Sequence, residues 1–137
     1  MDPAIRQELT ALYEETGQYI VGARLKQALD HLFTYVRKAN KYFDERKPWK
    51  NVQDAPDQAD NTLYTCVQII ANLSNLLSPF LPFSSEQIHG FLGQSLRCWH
   101  YIEVVAGTTL QAPKILFERI DPKQIDAELL SLAQSVI

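Results

Sequence analysis

The sequence has few cysteines, few glycines and no long apolar run. Its 137 residues include two cysteines, Cys66 and Cys98, and five glycines. Two isolated thiols argue against a disulfide framework and indicate a reducing compartment. No apolar run approaches the roughly 20 residues that a membrane-spanning helix needs, and the acidic start Met1-Asp2-Pro3 lacks the apolar region of a secretory signal. We therefore expect a cytoplasmic protein without a membrane span.

The residue patterns that mark catalytic, metal and phosphate sites are also missing. The chain has no Gly-rich phosphate loop and no CxxC pair, and its three histidines are scattered over different predicted elements. The adjacent carboxylates Glu14-Glu15 and Asp44-Glu45 point to different faces of a helix. We expect no catalysis by this chain alone, no cofactor and no bound metal.

The charge is unevenly distributed along the chain. The net charge of −3 argues mildly against general nucleic-acid binding, for which a basic footprint is expected. Residues 37–50 are the exception, because they contain six of the 13 lysines and arginines against only Asp44 and Glu45. Such a run is usually a solvated face, but it can also meet phosphates.

Apolar residues at three- and four-residue steps predict an all-α fold, a bundle of four to five helices. Proline, glycine and helix-capping residues mark where the predicted helices begin and end. The predicted helices cover residues 3–16, 21–45, 56–77, 85–91 and 122–136. Residues 50–58 are expected to be a polar connection and residues 94–120 an irregular arm. The length fits a single domain over residues 1–137.

The end of the long second helix concentrates aromatic and basic side chains. Pro48 cannot continue a helix interior, so Trp49 is expected on the turn between Lys47 and Lys50. One interpretation is that Trp49 caps the core, which the usual burial of large aromatics favours. The other is that its indole stacks on a nucleobase, an interaction worth about 1–3 kcal/mol.

Asn40 falls on or beside the apolar face of this helix, four residues after Val36 and three before Phe43. A polar side chain there should be hydrogen-bonded. We expect a structural amide that bonds a neighbouring helix or loop, in preference to direct contact with a base.

Three stretches carry a resemblance to a known family. Residues 40–50 read Asn-Lys-Tyr-Phe-Asp-Glu-Arg-Lys-Pro-Trp-Lys, residues 76–83 read Leu-Leu-Ser-Pro-Phe-Leu-Pro-Phe, and residues 115–121 read Ile-Leu-Phe-Glu-Arg-Ile-Asp. In this order they resemble the anticodon-binding domain of methionyl-tRNA synthetase, with its Asn-x-Tyr and Pro-Trp pattern, its Pro-x-x-Pro turn and its closing Leu-Phe-x-Arg-Ile-Asp. The resemblance covers nearly the whole chain.

The resemblance implies a partner and a site. The partner is a methionine tRNA, bound at its anticodon stem-loop, and the parent protein is a methionine–tRNA ligase. Trp49 stacks on an anticodon base and Pro48 sets the turn. Phosphates are then met by the surrounding cations, which are Arg46, Lys47, Lys50 and Lys41.

The sequence departs from the family at its start. The family's adenylate-forming motifs, His-Ile-Gly-His and Lys-Met-Ser-Lys-Ser, are absent. Residues 4–7 do not carry the pattern of the family's first helix, which supplies an Asn and an Arg to the anticodon bases. A catalytic domain or a second protein is expected at the surface that this helix leaves. The alternative function is a helical interaction module that kept the fold but lost RNA binding.

Overall fold

The computed structural model describes residues 1–94 and 98–135 of the chain. Every regular element in these residues is an α-helix, which confirms the predicted all-α fold. The helices are α1 (Pro3–Val21), α2 (Leu25–Arg46), α3 (Pro48–Asp54), α4 (Pro56–Leu77), α5 (Pro82–Phe91) and α6 (Pro122–Ser135). Residues 95–97 of the predicted arm, and residue 136 of the predicted last helix, lie outside the described residues.

Helix α4 is the centre of a five-helix bundle. It contacts α1, α2, α3 and α5. The core between α1, α2 and α4 is built from buried aliphatic side chains, among them Leu9, Leu12, Leu32, Ile69 and Leu76. Burial of each such side chain contributes about 1.5–3 kcal/mol, so α4 holds the other helices in place.

Several predicted helix limits were wrong. Helix α1 runs through Gly17 to Val21, so Gly17 does not end it. Most of the connection predicted at 50–58 is helix α3, because Pro48 occupies the first helical position, where its missing N–H is not needed. Pro82 starts α5 in the same way, ahead of the predicted start at residue 85. The polar composition of residues 50–54 concealed a short helix that packs on α4.

An extended segment lies along α4 without belonging to a sheet. Gln68 Nε2 donates to the Val104 carbonyl over 2.7 Å, and its Oε1 accepts from the Val104 N–H over 3.0 Å. Asn72 makes the same pair with Ile102, over 2.9 and 2.8 Å. Asn75 Nδ2 donates to the Cys98 carbonyl over 2.6 Å. We call Gln68, Asn72 and Asn75 the amide ladder, since they satisfy backbone groups of residues 98–104.

Tyr13 joins α1 to the amide ladder. Its hydroxyl donates to Asn72 Oδ1 over 3.0 Å and accepts from Asn75 Nδ2 over 2.9 Å. Burial raises the pKa of this phenol well above its usual range. Trp99 Nε1 donates to the Tyr13 carbonyl over 3.0 Å, and the two rings meet edge to face. The ladder therefore connects α1, α4 and the segment after residue 98.

Gly17→Ala should destabilise the protein, because an added Cβ would lie 2.9 Å from Trp99 Nε1. We expect the free energy of unfolding to fall by about 1–3 kcal/mol, the usual cost of overpacking. The matched control is Gly90→Ala in α5, where a Cβ meets nothing within 4 Å. That change should stabilise by about 0.5–1 kcal/mol. Urea unfolding measures both, and equal effects would contradict the close approach of Trp99 to Gly17.

Asn72→Leu should release residues 98–104 from α4. It leaves the buried N–H and C=O of Ile102 without partners, at a cost of roughly 1–3 kcal/mol for each group. Amide hydrogen exchange should show lost protection at the Ile102 N–H. The control is Gln58→Leu, which removes an exposed amide of the same helix. Unchanged protection at Ile102 in Asn72→Leu would refute the ladder.

Candidate nucleic-acid interface

The junction between α2 and α3 fixes the backbone on both sides of Trp49. Lys47 ends α2 in the left-handed region, with φ 44° and ψ 54°, and its N–H donates to the Phe43 carbonyl over 3.1 Å. Such a conformation costs a residue other than glycine about 1–2 kcal/mol. The Lys50 N–H donates to the Lys47 carbonyl over 2.9 Å, and Asn51 Nδ2 donates to the Arg46 carbonyl over 3.2 Å. These bonds hold the sharp turn in one conformation.

The junction buries Pro48 and exposes Trp49. The Pro48 ring is fully buried, whereas Trp49 is 53% exposed. The indole rests on Phe43, with ring centroids 5.2 Å apart and planes tilted by 57°. The interpretation of Trp49 as a core cap is therefore wrong, because its neighbour Pro48 fills the interior. An exposed indole supported on one side by another ring can accept a flat group on its free side.

The four predicted phosphate-binding cations differ in their partners. Lys41 pairs with Glu45 over 3.6 Å, and Arg46 reaches Asp2 over 3.8 Å while it lies 5.4 Å from the Tyr42 ring centre. Within residues 1–94 and 98–135, Lys47 and Lys50 have no ion-pair partner. Exposed ion pairs contribute only about 0–1 kcal/mol, so a phosphate can replace them at little cost.

Asn40 does not have the structural contact predicted for it. Its side chain is exposed, and in the described part of the chain its amide makes no hydrogen bond. The residue lies where a shallow cleft, shared with Lys41 and Lys47, meets an apolar groove. The periodicity placed Asn40 at the edge of the apolar face correctly, but no helix or loop covers that edge in the described residues.

An apolar groove adjoins this surface. Its volume is 500 Å³, and Phe33 and Phe43 of α2, Ile70 of α4 and Ile88 of α5 form its walls. Leu116 and Phe117 reach one side of it. We call it the α2–α4–α5 groove. Sequence reasoning missed the groove, although the broad apolar face of residues 56–77 was a signal for a second contact surface.

The described residues carry no group of His, Cys, Asp and Glu side chains placed to hold a metal ion. His89 is buried in α5. Cys66 lines the α2–α4–α5 groove, and burial raises the pKa of its thiol.

None of the helices in residues 1–94 and 98–135 has the length and apolar character to cross a bilayer.

Comparison with known proteins identifies a matching family and similar proteins. The family described as the anticodon binding domain of methionyl tRNA ligase matches residues 2–130. A methionine–tRNA ligase of Bacillus cereus (strain 03BB102) is 45% identical over 136 residues, which are 99% of this chain and 25% of the relative. A methionine–tRNA ligase of Bacillus anthracis (strain CDC 684 / NRRL 3495) is 43% identical with the same coverage. The chain thus spans 25% of the length of the curated relatives it matches.

Solved structures show the same fold at lower sequence identity. The free form of Mycobacterium tuberculosis methionyl-tRNA synthetase superposes with a TM-score of 0.81 at 24% identity, covering 88% of this chain and 26% of that protein. The form bound by methionyl-adenylate gives 0.78 at 23% identity, covering 85% and 25%. The five-helix arrangement is therefore shared with part of a larger protein.

Proposed function

The chain belongs to the anticodon-binding domain family of methionyl-tRNA ligases, and from this premise we propose that its Trp49 surface binds the anticodon stem-loop of a methionine tRNA. The chain carries this domain without the catalytic domain, since it spans 25% of the ligases it resembles. The observation that supports the proposal best is the exposed Trp49, which rests on Phe43 and follows Lys47 and precedes Lys50, two lysines without an ion-pair partner among the described residues. Within the proposal the protein acts in the cytoplasm.

Each group of the site has its own role in this proposal. Trp49 is half exposed and offers aromatic surface for stacking on an anticodon base. Pro48 sets the turn, because its buried ring anchors the backbone ahead of Trp49. Lys47 and Lys50 meet phosphates first, and Arg46 and Lys41 join them by exchanging their carboxylate partners. Stacking and phosphate contact are separate contributions, so two kinds of variant can separate them.

Trp49→Ala should weaken binding of a methionine anticodon stem-loop by about 5- to 150-fold, which corresponds to loss of one stacked base. Fluorescence anisotropy with a labelled stem-loop measures this affinity across a series of salt concentrations. The same loop with a scrambled anticodon shows whether the intact surface discriminates. Unchanged affinity in Trp49→Ala, with intact folding by circular dichroism, would refute the stacking role.

Lys50→Ala provides the electrostatic control. It should weaken both loops equally and lower the salt dependence, because one phosphate contact is lost. The matched variant is Lys26→Ala, at the opposite end of α2 and about 30 Å from Arg46 along the helix. Equal effects of the two lysine variants would mean that the chain attracts RNA through its general charge and not through the surface around Trp49.

We further propose that the α2–α4–α5 groove receives an amphipathic helix from the remaining part of a methionine–tRNA ligase. Two observations support this partner. Apolar side chains from three helices form the walls of the groove, and one of them, Ile70, is 47% exposed. The relatives are also about four times as long as the part that matches this chain. The alternative function, an interaction module that no longer binds RNA, uses the same groove. A chain that binds a partner but no stem-loop would support that alternative.

Ile70→Asp should weaken docking at least about tenfold, because a partner helix would bury an unpaired carboxylate. The assay is calorimetry with the part of the Bacillus cereus relative that lies outside the 136 matched residues. Val105→Asp is the control, since Val105 is 70% exposed and away from the groove. Equal loss in both variants, or dimerisation of the chain alone in light scattering, would contradict this partner.

A further inference from the structure

Phe43 belongs to two surfaces that the proposed function treats separately. One contact of its ring supports Trp49 at 5.2 Å, and the same side chain forms part of the wall of the α2–α4–α5 groove. We infer that Phe43 is a positioning residue that transmits occupation of the groove to Trp49. Only the RNA measurement below rests on the proposed function, whereas the link between the two surfaces rests on Phe43 alone.

Among the described residues, few ring contacts and hydrogen bonds restrain the indole. In the described residues, the Trp49 ring packs against one aromatic ring, that of Phe43, and its N–H has no hydrogen-bond partner. The backbone on both sides is fixed by Pro48 and by the bond from the Lys47 N–H to the Phe43 carbonyl. The orientation of the indole therefore depends on how well the Phe43 ring is held.

The groove side of Phe43 is open. The side chain is 38% exposed, and exposed rings change rotamer on the picosecond to nanosecond timescale. A group that fills the groove adds contacts to this open side and restricts Phe43. Trp49 is then ordered before RNA arrives, so the ordering cost no longer opposes RNA binding.

The size of the effect follows from the cost of immobilising a side chain on binding. Ordering one aromatic side chain in advance should tighten RNA binding by about 2- to 12-fold. By reciprocity, RNA should tighten binding of a groove ligand by the same factor. This ordering raises the RNA affinity even when the group in the groove makes no contact with RNA.

Cys66 provides a native attachment point for the test, because its thiol lines the groove. The full chain carrying Cys98→Ser is alkylated with N-benzylmaleimide, in alkaline buffer since burial raises the pKa of the Cys66 thiol. Trp49 fluorescence, taken as the difference from the same chain with Trp49→Phe, reports the indole. We expect reduced acrylamide quenching of Trp49 and stem-loop affinity raised about 2- to 12-fold.

Substitutions of Phe43 decide whether the ring carries the effect. Phe43→Leu keeps the groove apolar but removes the ring against Trp49, so labelling should leave quenching and affinity unchanged. Phe43→Tyr keeps the ring and should preserve both responses. As a location control, Cys98 is labelled in Cys66→Ser, because Cys98 packs on a different cluster with Leu92 and Ile102. That label should have no effect on Trp49.

The outcomes separate this inference from the proposed function. A quenching change that persists in Phe43→Leu, or no change on labelling Cys66, would overturn the role of Phe43. If labelling unfolds the chain, Ile70→Phe fills the groove from its α4 wall and must reduce Trp49 quenching in the same way. If the stem-loop is not bound at all, the proposed function fails, and the Trp49 fluorescence still decides the coupling.

Discussion

The attachment of residues 98–104 to the bundle depends on hydrogen bonds from side-chain amides of α4, and among the described residues this extended segment has no neighbouring strand. A buried extended chain must satisfy its N–H and C=O groups, and here Gln68 and Asn72 each bond both groups of one residue. The spacing of the amides along α4 matches the spacing of residues along the extended segment. Four residues of helix rise about 6 Å, and two residues of extended chain rise about 6.6 Å, so amides four apart meet Ile102 and Val104, which are two apart.

The ladder also explains how a distant segment supports the candidate site. Residues 98–104 are hydrogen-bonded to the amide ladder of α4, and the Tyr13 hydroxyl of α1 is hydrogen-bonded to the same amides. Helix α3 packs on α4, and the buried Pro48 holds its first turn there. Trp49 follows Pro48 directly, so the backbone at Trp49 is positioned by the packing of α3 on α4. The backbone of the candidate site therefore depends on the same helix that carries the amide ladder.

Local features of the fold could be read from the sequence, and features that need a distant partner could not. The Asp2-Pro3 and Pro56 starts and the stripe of α2 depend on neighbouring residues, and the structure contains the corresponding helices. The amides of α4 look like ordinary polar positions, because their partners lie 23 to 36 residues away. Helix α3 was missed for the same reason, since packing on α4 stabilises its seven residues.

The candidate site was predicted only in part. Pro48 marked the end of α2, but Trp49 lies in the first turn of α3 and not on a turn between helices. The usual burial of tryptophan predicted that Trp49 faces the core, whereas Pro48 does, because composition cannot tell which of two neighbours is buried. The groove escaped prediction because it is formed by three helices at once. The hydrogen bond expected for Asn40 assumed that every polar residue beside an apolar stripe is covered, whereas this edge of α2 faces a cleft.

The chemistry of the surface limits what it can contribute to recognition. Every base has an aromatic face, so stacking on Trp49 supplies affinity with little discrimination. Lysine contacts to phosphate carry no sequence information either. Discrimination requires polar groups that reach base edges, and the exposed amide of Asn40 stands one helical turn before Phe43, on the same face of α2. Under the proposed function, this one amide cannot distinguish three anticodon bases, so base-edge contacts must also come from a partner, and a helix in the adjoining groove is positioned to bring them.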